Sequence, residues 1–381
     1  TNLITHDFRF PAERNLAKQL NDELAEAGNV RIVVNATVVA IETDTNGKVA
    51  SGVRVDTGNG QRFGITARRI VLAANGVENV RLLLNSTSVS RHGLGNDADN
   101  VGRYFMDHPY FSAAVLPLDD ANRIWPASTI DDYADLFDRS IIKIIQFDPA
   151  WVERRELVNC GVMLVGRERY KAHPSYLSPA VDQFHSLLEL LGERQLFDPE
   201  TRRLLPKVFG NAFSIVGAYS RSLRKDQRRL DSATVRATVE PVPDRDSRIR
   251  LSAKKDRYGV PLPEIDWRLG ELERRSLLVM HDQLEKELGK HDVTLDQRLD
   301  PDPATGWPAP LQGGRHYIGT TRMHNSPELG VVDANCRVHG VQNLFVTGSS
   351  VFATASYANP TLTIMALAIR LADHLQTSAA N

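Results

Sequence analysis

Apolar positions change their period several times along the chain, and each change predicts a new element. Over residues 12–27, Leu16, Leu20 and Leu24 recur on one face with charges between them, which predicts an amphipathic helix. The run VRIVVNATVVAIE switches to β-branched residues, and Asp44-Thr45-Asn46-Gly47 supplies a hairpin-type turn. VASGVRV and QRFGITA continue the meander around Gly58-Asn59-Gly60. RRIVLAANG then reads as a compact apolar strand ending in small residues, and VENVRLLL after it as a helix. Strand, glycine-containing turn and helix in succession is how α/β sheets set main-chain amides beside a ligand phosphate.

From residue 107 to about 312 the texture differs. Helical pieces such as VDQFHSLLELLG alternate with the strands ATVRATVEPV and SRIRLSA, read as a pair joined by the turn PDRD. DRYGVPLPEIDWR predicts a further turn and strand, and ELERRSLLVMHDQLEKELGK a long amphipathic helix. From His316 the first texture returns: VQNLFVTGSS is another apolar strand ending in small residues. Residues 360–375 place Leu362, Met365, Leu367 and Leu371 on a helix expected to pack on a core. The expected fold class is α/β (α+β overall). Its first domain spans 1–106, a second built on an antiparallel sheet flanked by helices spans 107–315, and 316–381 return to the first.

Composition narrows the partners. Lys and Arg number 46 against 47 Asp and Glu, a net charge of −1, so nothing electrostatic calls for nucleic acid or an anionic membrane. No apolar run reaches the roughly 18 residues of a membrane span, because Arg370 and Asp373 interrupt the richest one. The two cysteines, Cys160 and Cys336, could pair, but a chain of 381 residues needs no disulfide framework. A reduced, cytoplasmic compartment is the expectation. TNLITHDFRF is no signal peptide, and a start at Thr1 rather than Met suggests a processed or truncated product. The sequons at Asn35 and Asn85 are common by chance and idle in such a compartment.

Two strands thus end in small residues, LAANG and VTGSS, and one helix starts at Asn359-Pro360. Small residues admit a cofactor's close approach, and a helix N-terminus stabilises negative charge. Taken singly, each is more often an ordinary tight turn beneath a buried sheet. GxGxxG, Walker, GxSxG and HExxH motifs are absent; GNGQRFG and GLGNDADNVG fail the spacing. His316 has the side chain suited to taking a proton from an alcohol near neutral pH. Asn359 offers a donor and an acceptor for the same oxygen, in competition with its role as a helix cap, which Thr361 or water would then fill. A lone histidine is more often structural than a base. His324 and His339 read as structural or solvent-facing, and no metal-ligand spacing surrounds them.

RIVLAANGVENVRLLL, NVGRYFMDHP, EPVPDRDSRIRLS, HYIGTTRM and the block from VVDANCRVHG to NPTLTIMALAIRLADHL together resemble the glucose–methanol–choline (GMC) family of flavin oxidoreductases. The details are closest to its sugar- and polyol-oxidising branch, of pyranose oxidase and fructose or glucoside dehydrogenase type. The resemblance implies a Rossmann-like FAD-binding domain with a substrate domain, and FAD-dependent oxidation of a sugar or polyol hydroxyl, as dehydrogenase or oxidase. It implies His316 as base, Asn359 holding the substrate oxygen, and hydride transfer to flavin N5. It sets the helix from Pro360 and Thr361 toward the flavin N1/C2=O edge. Gly348 and Ser349 lie along the ribityl or pyrophosphate, Ala74 and Gly76 beside the phosphate–ribose, and Val38 near the adenine. No metal is implied. His108, in FMDHP, takes a support role between the domains. The electron acceptor stays open among oxygen, a quinone or a redox protein. The family's N-terminal GxGxxG unit is missing here, so it resides on a cleaved or preceding segment or on a companion chain. The alternatives are an inactive C-terminal fragment or an assembly subunit, more distantly a hydroxynitrile lyase, and most remotely Thr1 as an N-terminal nucleophile.

Overall fold

Two large clusters of buried apolar side chains organise the described residues, one built on a single large sheet and the other among smaller sheets. The computed structural model describes residues 2–9, 20, 23–24, 26–117, 131–132, 141–168, 184, 187, 199–213, 230–293, 295, 306–307 and 311–378. In chain order the first elements are β1 (Leu3–Arg9), β2 (Thr37–Thr43), β3 (Ala50–Asp56), β4 (Arg62–Thr66), β5 (Ile70–Leu72) and α1 (Asn75–Asn85). Next come β6 (Pro109–Pro117), β7 (Asp131–Asp132), β8 (Ile141–Phe147), α2 (Pro149–Arg155), β9 (Cys160–Glu168) and α3 (Pro199–Gly210). Then follow β10 (Leu230–Val239), β11 (Arg248–Lys255), β12 (Pro261–Asp266), α4 (Glu271–Gly289), β13 (Gln312–Gly313), β14 (Leu344–Val346) and α5 (Thr361–Thr377).

The larger sheet has seven strands in the order β1-β8-β9-β10-β6-β13, with β7 pairing β9 from off the path. Every pairing in it is antiparallel except the short β7–β9 contact. Helix α4 covers it. Leu277, Met280, Leu284 and Leu288 recur every three or four positions, so they share one face and join Phe111, Val162 and Val235 in a single core. Each such burial contributes roughly 1.5–3 kcal/mol relative to exposure, which fixes the helix more firmly than its weak intrinsic pattern would.

The second core holds the antiparallel meander β2-β3-β4, the parallel pair β14-β5 and α1. Val80 and Leu83 of α1, Leu344 and Val346 of β14, and Ile41 of β2 are fully enclosed there. Arg81 of α1 donates to Asp256, Val260 O and Pro261 O, pinning the β11–β12 hairpin to this body.

Several expectations need correction. Residues 3–9 pair with β8, so the N-terminal strand belongs to the large sheet rather than to a first domain of 1–106. The strands joined by PDRD do not pair with each other. β10 lies between β9 and β6, while β11 turns back onto β12. Of the run 30–42 only Thr37–Thr43 is a strand; Ile32 and Val34 are exposed in irregular chain, with no neighbouring strand among the described residues to pair them. α5 buries Leu371 but leaves Leu362 79% exposed, so its apolar face is only partly covered. Cys160 and Cys336 are unpaired and sit in different cores. The helices expected over 12–27 and 181–192 fall largely outside the described residues. No helix among the described residues is long and apolar enough to cross a membrane.

Candidate active site

Met106 and Ile318 exchange main-chain hydrogen bonds of 3.0 and 2.9 Å, which aligns the two chain segments antiparallel. In that register His108 stands opposite His316. The ladder is then broken by a side chain. Asp107 accepts the main-chain N–H of His316 at 2.7 Å on Oδ1 and that of Arg315 at 3.1 Å on Oδ2. Arg315 adopts a positive φ of 61°, the local kink that turns both amides onto one carboxylate. Pro109 follows His108 as the first residue of β6, a position at which a strand tolerates proline.

The outcome is a contact between two imidazoles. His108 Nδ1 and His316 Nδ1 lie 2.8 Å apart, with ring centroids at 4.9 Å and planes at 75°. His108 is wholly enclosed, whereas His316 is half-buried and reaches solvent. Burial, reinforced by the neighbouring His316, holds the His108 pKa down at about 4, so its ring is neutral near pH 7. Burial also lowers the pKa of His316, against the opposing pull of the Asp107 charge. The Asp107 carboxyl is pushed up by burial, and the amides of His316, Arg315 and His108 counter that shift.

Asn359 lies in the exposed turn before α5. The cap position of α5 falls on Pro360, with no side-chain cap hydrogen bond, so neither Asn359 nor Thr361 caps the helix. Pro360 is buried and Thr361 exposed. The same turn approaches the histidine pair at its other end, where the carbonyls of Ala355 and Ser356 face the His108 ring.

The residues expected along a cofactor divide into two kinds. Val38 and Ala74 line a cavity of about 520 Å³ bounded also by Val53, Ile70, Leu72 and Glu78. Gly348, just past β14, has φ 107° and would aim a Cβ into open space, so the chain there offers a bare main-chain edge. Gly76 and Ser349 instead touch the irregular segment that carries His316. A Cβ on Gly76 would collide with the Tyr317 carbonyl, and Thr320 Oγ1 donates to Gly76 O at 2.6 Å. Ser349 Oγ donates to Tyr317 O at 2.7 Å. Asn75 Oδ1 accepts the N–H groups of Val77 and Glu78, so those amides of α1 are already bound.

These features fit part of an FAD. The apolar cavity and the bare edge at Gly348 suit an adenosine and a ribityl chain. Phosphate donors are sparse: Arg69 is the cation on the cavity wall, and it bonds the carbonyls of Leu375 and Ser378. In the sequence His108 is legible as a support residue without a partner, and Asp107 has no signal beyond its place in MDHP ahead of a β-strand. His324 and His339 are structural, His339 Nε2 bonding His324 O at 2.9 Å. The one group among the described residues with metal-ligand proximity, His281-Asp282-Glu285 on α4, includes neither His108 nor His316.

Residues 14–110 and 243–368 match the N-terminal and C-terminal family models described as GMC oxidoreductase. The fructose dehydrogenase large subunit of Gluconobacter japonicus is 26% identical over 92% of this chain and 54% of its own length. The 6'''-hydroxyparomomycin C oxidase of Streptomyces lividus is 26% identical over 94% of this chain and 54% of that one. The 2-methyl-1,2-propanediol dehydrogenase of Mycolicibacterium austroafricanum is 26% identical over 90% and 53%. The chain therefore spans about half the length of the curated relatives it matches. Among solved structures, pyridoxine 4-oxidase from Mesorbium loti shares the fold with a TM-score of 0.55 at 15% identity, covering 92% of this chain and 59% of that one. A formate oxidase does so with 0.53 at 18%, covering 93% and 62%.

Proposed function

The chain belongs to the GMC oxidoreductase family, and on that premise we propose that it carries the substrate base of an FAD-dependent enzyme oxidising a sugar or polyol hydroxyl to a carbonyl. The observation that carries the proposal is His316, held by the Asp107 clamp and the His108 ring yet still reaching solvent. Relatives named for fructose, a hydroxyparomomycin and a propanediol support a polyhydroxy substrate.

His316 has its pKa lowered by burial and is neutral near pH 7, so one ring nitrogen has a lone pair for the hydroxyl proton. Asn359, free of any capping duty, orients the same oxygen through its amide. Bound FAD would supply the acceptor for the hydride leaving the carbinol carbon. Val38, Ala74 and the main chain at Gly348 would line it, with Gly76 and Ser349 keeping the His316 segment in place beside it. Pro360 and Thr361 begin the helix whose positive end favours negative charge there.

The dinucleotide-binding strand–helix unit comes from chain outside these residues, on the same polypeptide or a companion. Val71 on β5 is 41% exposed, and Leu362, Met365 and Ile369 form an uncovered stripe on α5, apolar surface that such a unit would bury. The fructose dehydrogenase relative is named as a large subunit, which favours a companion chain. The test is a visible spectrum of the purified protein with all its chains, followed by anaerobic addition of ketoses, glucosides and diols. A flavin band bleached by at least one polyol is expected. A flavin-bearing protein that no polyol or sugar bleaches would overturn the reading in favour of an inactive assembly subunit.

A further inference from the structure

A 2.8 Å contact between two ring nitrogens holds one proton between them, and which ring owns it decides what His316 can do. If His108 donates, His316 carries its own proton on Nε2 and has no lone pair there. If His316 donates, its Nε2 is a base. The surroundings of His108 settle the choice. Its Nε2 is enclosed, and the polar groups against the ring are the main-chain carbonyls of Ala355 and Ser356, although none is aligned for a full hydrogen bond. Carbonyl oxygens are acceptors only, and Nδ1 of His108 is already taken by the contact with His316, so Nε2 is the nitrogen left to turn a proton toward them, and the single proton of the neutral ring belongs there. Nδ1 of His108 is then the acceptor. Asp107 is turned to the main chain, its two oxygens accepting the N–H groups of Arg315 and His316.

We propose that His108 is a positioning residue that fixes the tautomer of His316, accepting its Nδ1–H and so leaving Nε2 of His316 free to take the substrate proton. The inference rests on His316 being the base. A histidine here performs the orienting task that a carboxylate performs in other base-containing sites, and it does so while staying uncharged. The wall of Ala355 and Ser356 carbonyls is what makes it an acceptor. The same turn leads to Asn359, so one short segment orders both the tautomer and the second polar group.

The test is two-bond proton–nitrogen NMR of the whole protein labelled with 15N-histidine, with His316 assigned from a His316→Gln variant. The wild type is expected to show His316 protonated at Nδ1. His108→Phe, which offers no acceptor, is expected to shift His316 toward Nε2–H and to lower kcat at least about tenfold with KM little changed. His108→Asn, whose Oδ1 takes the Nδ1 place, is expected to restore both. A wild-type His316 protonated at Nε2 overturns the proposal even if the Phe variant fails to fold, and so does an unchanged tautomer in a folded Phe variant. Turnover surviving in His316→Gln instead removes the base assignment while leaving the tautomer result to be read on its own.

Discussion

Acidification should unfold this protein partly through one buried ring. His108 has an ordinary pKa of 6.5 when the chain is unfolded and about 4 in the fold, where burial withholds its proton. Between those values the unfolded state binds the proton and the folded state does not. The contribution is therefore fully present above pH 6.5 and is lost as pH falls toward 4. A gap of about 2.5 pH units corresponds to roughly 3.4 kcal/mol in the limit, about 2 kcal/mol at pH 5 and about 3 kcal/mol at pH 4. The ring is wholly enclosed, so solvent screening does not erode it. Many carboxylates also titrate in this range, and the comparison that isolates His108 is urea unfolding of wild type and His108→Phe at pH 7 and pH 5. The Phe variant should start less stable and lose about 2 kcal/mol less on acidification. Parallel losses in the two proteins would refute the burial argument.

Gly76→Ala should cost about 1–3 kcal/mol in urea unfolding, because its methyl group meets the Tyr317 carbonyl and lies 2.8 Å from the Tyr317 Cβ, next to His316. Arg81→Leu should cost about 2–4 kcal/mol by removing its bonds to Asp256, Val260 O and Pro261 O. Hydrogen exchange should then accelerate at amides of β11 and β12 more than in the large sheet; uniform protection would contradict the pinning role.

What the sequence made legible followed from local rules. The meander from Thr37 to Thr66 carries its turns in plain view, and α4 announces itself by Leu277, Met280, Leu284 and Leu288. His316 and Asn359 were recoverable only as part of a family-like block. The misreadings share a cause: pairing and covering are tertiary choices. PDRD looks like a hairpin turn, but β10 gains two flanking partners in β9 and β6 that β11 could not match. Leu3–Arg9 joins a sheet and pairs there with a strand more than a hundred residues away. Of the positions on α5 that read as core-facing, Leu371 is buried, while the described residues leave Leu362 and Met365 uncovered. Gly76 and Ser349 stand at cofactor-like positions, and what no local pattern announces is their contact with the Tyr317 main chain, through the space a Cβ on Gly76 would fill and the Ser349 hydroxyl. Asp107 was invisible because a carboxylate that binds two amides far along the chain leaves no periodic signal.

The most direct test of the central claim is the anaerobic rate at which a reactive polyol bleaches the bound flavin, compared between wild type and His316→Ala. The base assignment predicts that the variant keeps its flavin spectrum and that bleaching slows by a factor on the order of 10²–10⁴. Equal rates in the two proteins would contradict it.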